Sequence, residues 1–156
     1  TAVLLAASLK IGARLGGASV EDADRLYDFG MHIGVAFQLK DDLLDVYGNA
    51  KVFGKNIGGD ILCNKKTYML IKALEHANAD QHNQLNSWIN AETFQPAEKI
   101  AAVTELYDRI GVKAVCENKI LEYSNRAMES LAAVSIAEEK KEELKKIIEN
   151  LIHREV

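Results

Sequence analysis

The recurrence of apolar residues at helical spacing is the feature that most restricts how this chain of 156 residues can fold. Proline, which interrupts helices, occurs once, at Pro96. Alternation of apolar and polar residues between turn signals, the pattern of a β-strand, is absent. The sequence therefore predicts an all-α protein, with helices over residues 1–15, 21–47, 64–76, 80–89, 96–109, 112–133 and 136–153.

Glycine and acidic residues mark several of the predicted helix ends. Gly16-Gly17 is expected to close the first helix, because glycine supplies the left-handed cap at no steric cost. Ser19, followed by acidic residues, suits the start of the second helix. The glycine-rich stretch Gly48–Gly59 is predicted to be a functional or mobile loop. The charge run Glu138–Lys146 is interpreted as a solvated helix face.

Composition describes an ordinary globular protein of about one domain, with 48% hydrophobic and 27% charged residues. No run approaches the roughly 20 apolar residues of a membrane span, so no stable membrane insertion is expected. A net charge of -4 argues against nucleic-acid binding. Cys63 and Cys116 lack the spacing of a zinc site or disulfide framework, and a cytoplasmic location follows. Without an initiating Met, the chain is interpreted as trimmed.

Four polar residues form a stripe within the apolar second helix. Gln38, Asp41, Asp42 and Asp45 fall at i, i+3, i+4 and i+7, and so share one helix face. Carboxylates at this spacing repel one another, so a cation is expected among them. Mg²⁺ fits, because it takes oxygen ligands and completes its shell with water and phosphate oxygens. A solvent-facing acidic patch is the alternative interpretation of the same spacing.

Basic residues follow the acidic stripe closely, on a glycine-rich backbone suited to phosphate. They are Lys51, Lys55, Lys65 and Lys66, among Gly48, Gly54, Gly58 and Gly59. A Walker loop is rejected, because five residues separate the first two of these glycines, Asn56 stands at the Ser/Thr position, and no strand precedes. An EF-hand is rejected because the aspartate spacing is wrong. The combination predicts a metal-and-lysine clamp for a diphosphate.

These residues resemble motifs of the trans-isoprenyl diphosphate synthases. Phe37–Asp45, FQLKDDLLD, resembles the family's second aspartate-rich motif, FQxxDDxxD. Gly54–Asp60 and Asn64–Thr67 resemble its GKxxGxD and downstream lysine segments, and Thr1–Leu4 resembles the remainder of a KTAxL motif. Over residues 1–75 the resemblance is strong, and it implies the C-terminal half of an isoprenoid-synthase-type helical bundle.

The resemblance implies an Mg²⁺-dependent prenyltransferase that condenses an allylic diphosphate with isopentenyl diphosphate. Its implied roles are Asp41, Asp42 and Asp45 for metal, with Asp41 the direct ligand; Lys55, Thr1 and Gln38 for catalysis at the allylic diphosphate; and Phe37, Gln38, Lys55 and Lys65 for substrate binding. Phe37 would border the isopentenyl pocket, and Lys65 would be a more distant phosphate contact.

The family's first aspartate-rich motif is missing from this sequence. Residues 1–156 are therefore interpreted as one helical domain fragment that lacks the N-terminal half and is catalytically inert. The missing helices would leave a face of the acidic-stripe helix bare, which favours self-association or aggregation. A homodimer or a rearranged helical assembly is therefore expected. Two rival interpretations remain: a terpene cyclase, which usually carries an Asn/Ser/Glu metal motif here, and a noncatalytic helical subunit or interaction module of the same fold.

Overall fold

The computed structural model describes residues 1–48 and 57–152, and over these ranges it is all-α without a strand, as predicted. The helices are α1 (Ala2–Leu15), α2 (Val20–Tyr47), α3 (Gly59–Leu62), α4 (Tyr68–His76), α5 (Ala79–Ile89), α6 (Pro96–Ile110), α7 (Val112–Ala132) and α8 (Glu142–Ile152). A 3₁₀ turn, Glu138–Lys140, precedes α8. None of the helices within the described ranges combines the length and apolar character needed to cross a membrane.

The ends of α1 and α2 follow the sequence prediction. Gly17 has φ of 85°, and the next amide, of Ala18, donates to the carbonyl of Ala13 at 2.9 Å, which is the bond pattern of a glycine-closed helix. The hydroxyl of Ser19 accepts a hydrogen bond from the amide of Asp22 at 3.0 Å and so caps α2. Local chemistry alone is therefore sufficient to end one helix and start the next.

Two helix starts differ from the prediction by more than one residue. α4 begins at Tyr68 rather than at 64, because Thr67 is its N-cap and accepts from the amide of Leu70 at 3.2 Å. α8 begins at Glu142 rather than at 136, after the 3₁₀ turn. The short helix α3 was not predicted, and it begins at Gly59, the last residue of the predicted glycine-rich loop.

The interpretation of Glu138–Lys146 as a uniformly solvated face is wrong at Lys141. This side chain is buried, and its ammonium donates to Glu138 at 2.8 Å and to the carbonyl of Ala132 at 2.9 Å. The lysine thereby satisfies a carbonyl at the C-terminal end of α7, where a positive charge is favourable.

The described residues divide into two compact units. The first contains residues 1–40 and 118–152. Its hydrophobic core joins α2, α7 and α8, and consists of Phe29, Ile33, Ala36, Ala127, Leu131, Ile148 and Leu151. On α1, in contrast, Leu4 is 75% exposed and Leu15 is 85% exposed. These exposed leucines lie on α1, whereas the bare apolar face was predicted on α2.

Within the first unit, α1 and α2 approach each other closely through glycine and alanine. A Cβ atom added at Gly30 would lie 2.5 Å from the Cα of Ala6, and one added at Gly34 would lie 2.5 Å from the Cα of Ala2. Neither contact could be accommodated by rotating a side chain, because the backbone itself is the obstacle. The two glycines therefore set the separation of the helices.

The second unit contains residues 41–48 and 57–117, and α6 packs against α3, α4 and α5. Buried residues along α6 include Val103, Leu106 and Tyr107. The hydroxyl of Tyr47, at the end of α2, donates to Asp108 at 2.7 Å. This bond joins the C-terminal end of α2 to α6, and so helps to orient the last turns of α2, which carry the three aspartates.

Candidate active site

In the second unit, Lys65 lies between two carboxylates. Its ammonium donates to Asp42 Oδ1 at 3.0 Å and to Asp60 Oδ2 at 2.8 Å. The hydrogen bonds to Asp60 and Asp42 raise the pKa of Lys65 above its usual value. The Asp42 side chain is only 9% exposed, whereas that of Lys65 is 45% exposed. A buried aspartate therefore holds a lysine whose side chain is nearly half exposed.

Asp45 is bound to the start of α3 by hydrogen bonds. Its carboxylate accepts from the amide of Asp60 at 2.9 Å, and its carbonyl accepts from the amide of Gly58 at 2.6 Å. Burial raises the pKa of the Asp45 carboxyl; the Asp60 amide opposes this increase, and the Asp60 carboxylate adds to it. Asp45 thus places α3, and with it Asp60, beside the acidic stripe.

Asp41 differs from the other two aspartates of the stripe. It is partly exposed, and within the described part of the chain no hydrogen bond or ion pair engages its carboxylate. Those same residues contain no group of three or more acidic, histidine or cysteine side chains close enough to hold a metal ion. Mg²⁺ needs only one or two protein carboxylates, so Asp41 fits the ion as a ligand while Asp42 and Asp45 are already bonded.

The first unit brings together three other predicted site residues. The hydroxyl of Thr1 donates to Gln38 Oε1 at 3.5 Å, at the long end for a hydrogen bond. Thr1 is the N-cap of α1, and Gln38 lies on α2 one turn after Gly34, which contacts α1 at Ala2. Phe37 is 39% exposed, and lines with Thr1 and Gly34 a largely apolar cavity of about 490 Å³. The remaining lining residues are Leu5, Ile33, Ile147, Asn150 and Leu151.

Sequence reasoning anticipated some of these neighbours and missed others. Lys51 and Lys55 lie outside the described residues. For Asp60 the motif resemblance predicted no role, whereas in the structure it is the second carboxylate that binds Lys65. The hydrogen bond between Lys99 and Asn64 was also missed. The two residues are 35 positions apart and share no periodic pattern, so the sequence did not indicate that they would meet.

Comparison with known proteins gives a consistent result. The family model described as Polyprenyl synthetase matches residues 1–107. A short chain isoprenyl diphosphate synthase of Methanothermobacter thermautotrophicus is 34% identical over 155 residues, which cover 99% of this chain and 46% of that protein. A (2E,6E)-farnesyl diphosphate synthase of Mycobacterium tuberculosis is 30% identical over 158 residues, which cover 99% of this chain and 44% of that protein.

Solved structures agree with the sequence relatives. A geranylgeranyl pyrophosphate synthase matches with a TM-score of 0.91 and 33% identity, over 100% of this chain and 49% of that chain. A geranylgeranyl pyrophosphate synthase from Corynebacterium glutamicum, complexed with isoprenyl diphosphate and magnesium, matches with a TM-score of 0.81 and 31% identity, over 92% of this chain and 40% of that chain. The chain thus spans about half the length of the proteins it matches.

Proposed function

Since this chain belongs to the polyprenyl synthetase family, we propose that it forms part of a prenyltransferase that condenses isopentenyl diphosphate with an allylic diphosphate. The observation that carries the proposal is the arrangement of one partly exposed aspartate, Asp41, on the same helix as the carboxylate that holds Lys65. Such a pairing offers a ligand for a cation and a positive charge for a phosphate. Mg²⁺ and lysine both bind phosphate oxygens in proteins.

The geometry of Lys65 supports its role as a phosphate contact. An ammonium group has three N–H donors, and two of these are used by Asp42 and Asp60. The third remains for an external acceptor, and the side chain is sufficiently exposed to reach one. Because the pKa of Lys65 is raised, the group stays protonated throughout the physiological range.

We assign Mg²⁺ to Asp41, with Asp42 and Asp45 acting through water or through the residues they position. When bound, the metal would neutralise charge that develops on the departing diphosphate. Lys65 and, from the motif resemblance, Lys55 add positive charge to the same diphosphate. Three steps make up the reaction: ionisation of the allylic C–O bond, attack of the isopentenyl double bond on the resulting cation, and loss of a proton from the new cation. They need no nucleophilic side chain, in agreement with a site made of carboxylates and lysines.

The apolar cavity beside Phe37 supports a site for an isoprenoid portion of a substrate. Thr1 and Gln38 contact each other near this cavity, and would bind diphosphate oxygens as hydroxyl and amide groups. The cavity volume of about 490 Å³ is in the usual range for small-molecule sites.

Calorimetric titration of a bisphosphonate, as a diphosphate mimic, into this chain tests the proposal. We expect binding only with Mg²⁺, and a loss of affinity of at least about ten-fold in Asp41→Ala and Lys55→Ala, since each removes a charged contact. Asp28→Ala is the matched control, because this exposed aspartate lies on the same helix about 20 Å from Asp41. Equal binding by all four proteins would contradict the assignment.

Two further proposals concern the assembly. We propose that the chain alone does not catalyse prenyl transfer, because the family's first aspartate-rich motif is missing from this sequence. We also propose that it associates as a homodimer, because α1 exposes Leu4 and Leu15. The second candidate function, a noncatalytic helical subunit, predicts no metal-dependent binding by this chain. It also predicts that a complete enzyme, in which this chain is joined to the helices of the family's N-terminal half, is inactive. Turnover by such a complete enzyme would exclude that candidate, and a strictly monomeric chain in sedimentation would exclude the homodimer.

A further inference from the structure

Asn64 has an unusual backbone conformation immediately before Lys65. Its φ is 52°, and it is the one non-glycine residue with positive φ in the ranges 1–48 and 57–152. Asparagine adopts this left-handed conformation more readily than most residues, yet the conformation still needs support from its surroundings. The turn allows the amide of Lys65 to donate to the carbonyl of Asp60 at 2.9 Å.

The side chain of Asn64 is held at both of its polar atoms. Its Nδ2 donates to the carbonyl of Ile89, the last residue of α5, at 3.0 Å. Its Oδ1 accepts from the ammonium of Lys99, on α6, at 2.8 Å. The residue that precedes Lys65 is therefore tied to two helices of the second unit.

Lys99 occupies an unfavourable position for a lysine. The residue is 1% exposed, and no carboxylate in the described part of the chain pairs with it. It lies four residues after Gln95, the N-cap of α6, where the helix dipole disfavours a positive charge. The ring of Phe94, with its centroid 4.3 Å from the ammonium, offsets part of this cost. An aliphatic residue would fill the same space without the free-energy cost of burying a charge, so packing alone does not account for a lysine here.

We propose that Asn64 and Lys99 are positioning residues that hold Lys65 between Asp42 and Asp60. Lys99 fixes the Asn64 side chain, Asn64 fixes the left-handed turn, and the turn directs Lys65 toward the two carboxylates. The inference rests on the proposed function for its purpose, since Lys65 is the phosphate contact there. Neither Asn64 nor Lys99 needs to touch a substrate in this role.

A double-mutant cycle on bisphosphonate affinity tests whether Lys99 acts through Lys65. In the 156-residue chain with Mg²⁺, Lys65→Ala is expected to weaken binding about ten-fold, and Lys99→Met about three- to ten-fold. In the Lys65→Ala background, Lys99→Met should change affinity by less than about two-fold. An undiminished effect of Lys99→Met in that background would overturn the inference, because it would show that Lys99 acts without Lys65.

Amide hydrogen exchange tests the same inference without a ligand. Lys99→Met and Asn64→Ala should each accelerate exchange of the Lys65 amide about five-fold or more, and the double variant should add little. The Gly111 amide, which donates to Tyr107 at 3.0 Å in the same unit, reports general loosening and should stay within about two-fold. Lys141→Met, which removes a buried lysine from the first unit, is the matched control and should change neither amide.

The two experiments separate the inference from the function on which it rests. If the unsubstituted chain binds no bisphosphonate but Lys65 exchange rises selectively in Lys99→Met, the positioning role stands while the proposed function loses its support. If Lys65 exchange is unchanged in both Lys99→Met and Asn64→Ala, or rises only together with Gly111 exchange, the positioning role is overturned.

Discussion

Replacing Gly34 by alanine should destabilise the first unit, although alanine favours helices more than glycine does. The new Cβ would lie 2.5 Å from the Cα of Ala2 and 2.8 Å from its Cβ. Carbon atoms in contact prefer about 3.5–4.0 Å, so α1 and α2 would have to separate by about 1 Å. Overpacking of this kind costs about 1–3 kcal/mol, against a gain in helix propensity of about 1 kcal/mol.

Gly12→Ala provides the matched control for this prediction. Gly12 lies within α1, and a Cβ atom there would meet nothing within 4 Å. This variant gains helix propensity without a clash and should be about 0.5–1 kcal/mol more stable than the unsubstituted chain. The difference between the two variants, about 1–3 kcal/mol, then isolates the cost of the clash.

Urea unfolding followed by far-ultraviolet circular dichroism measures both free energies, provided that the dependence on urea is the same in each protein. Gly34→Ala should also weaken the contact of Thr1 with Gln38, which is already 3.5 Å long. The reasoning would be refuted if Gly34→Ala proved as stable as Gly12→Ala. That result would mean that the helices separate without cost.

Two further predictions concern a helix cap and acid stability. Asn78→Ala should lower the free energy of unfolding in urea by about 1 kcal/mol, because Asn78 and Gln81 form a reciprocal capping box at the start of α5. A decrease of less than about 0.3 kcal/mol would contradict this prediction. The hydrogen bond from the amide of Ser135 is the main cause of a lowered pKa for Asp22 in the folded chain. The ionised carboxylate therefore stabilises the fold at a pH above the unfolded pKa of 3.8, and this stabilisation is lost as the pH falls through the folded pKa. In Asp22→Asn the urea midpoint should therefore fall less steeply below about pH 4 than in the unsubstituted chain. An equally steep fall would show that Asp22 does not cause the loss of stability in acid.

The helical segments were predictable because their signals are local. Gly17 and Ser19 end and start helices through bonds to residues within five positions, as their spacing suggested. The start of α4 was missed because Asn64 is also a residue type that favours helix starts, whereas the hydroxyl of Thr67 forms the cap. The burial of Lys141 was missed because its partner, the carbonyl of Ala132, depends on how α8 follows α7.

The candidate site was partly predictable for the same reason. The spacing of Asp41, Asp42 and Asp45 required a shared helix face, and their mutual repulsion indicated a cation. The spacing did not indicate that Asp42 would pair with Lys65, which lies 23 residues later, while Asp45 would bind the amide of Asp60. Those partners leave Asp41 as the aspartate of the stripe whose carboxylate has no partner in the described part of the chain, which is why we propose it as the metal ligand.

Helical periodicity and capping chemistry act over a few residues, so the amino-acid sequence was sufficient to indicate the all-α class, most helix ends and the acidic stripe. The motif resemblance added the family. Only the tertiary structure showed that Gly34 sets the distance between α1 and α2, and that Lys99 reaches Asn64 across 35 residues. Such contacts depend on how helices pack, and packing is decided by the shape of many side chains together rather than by any local pattern.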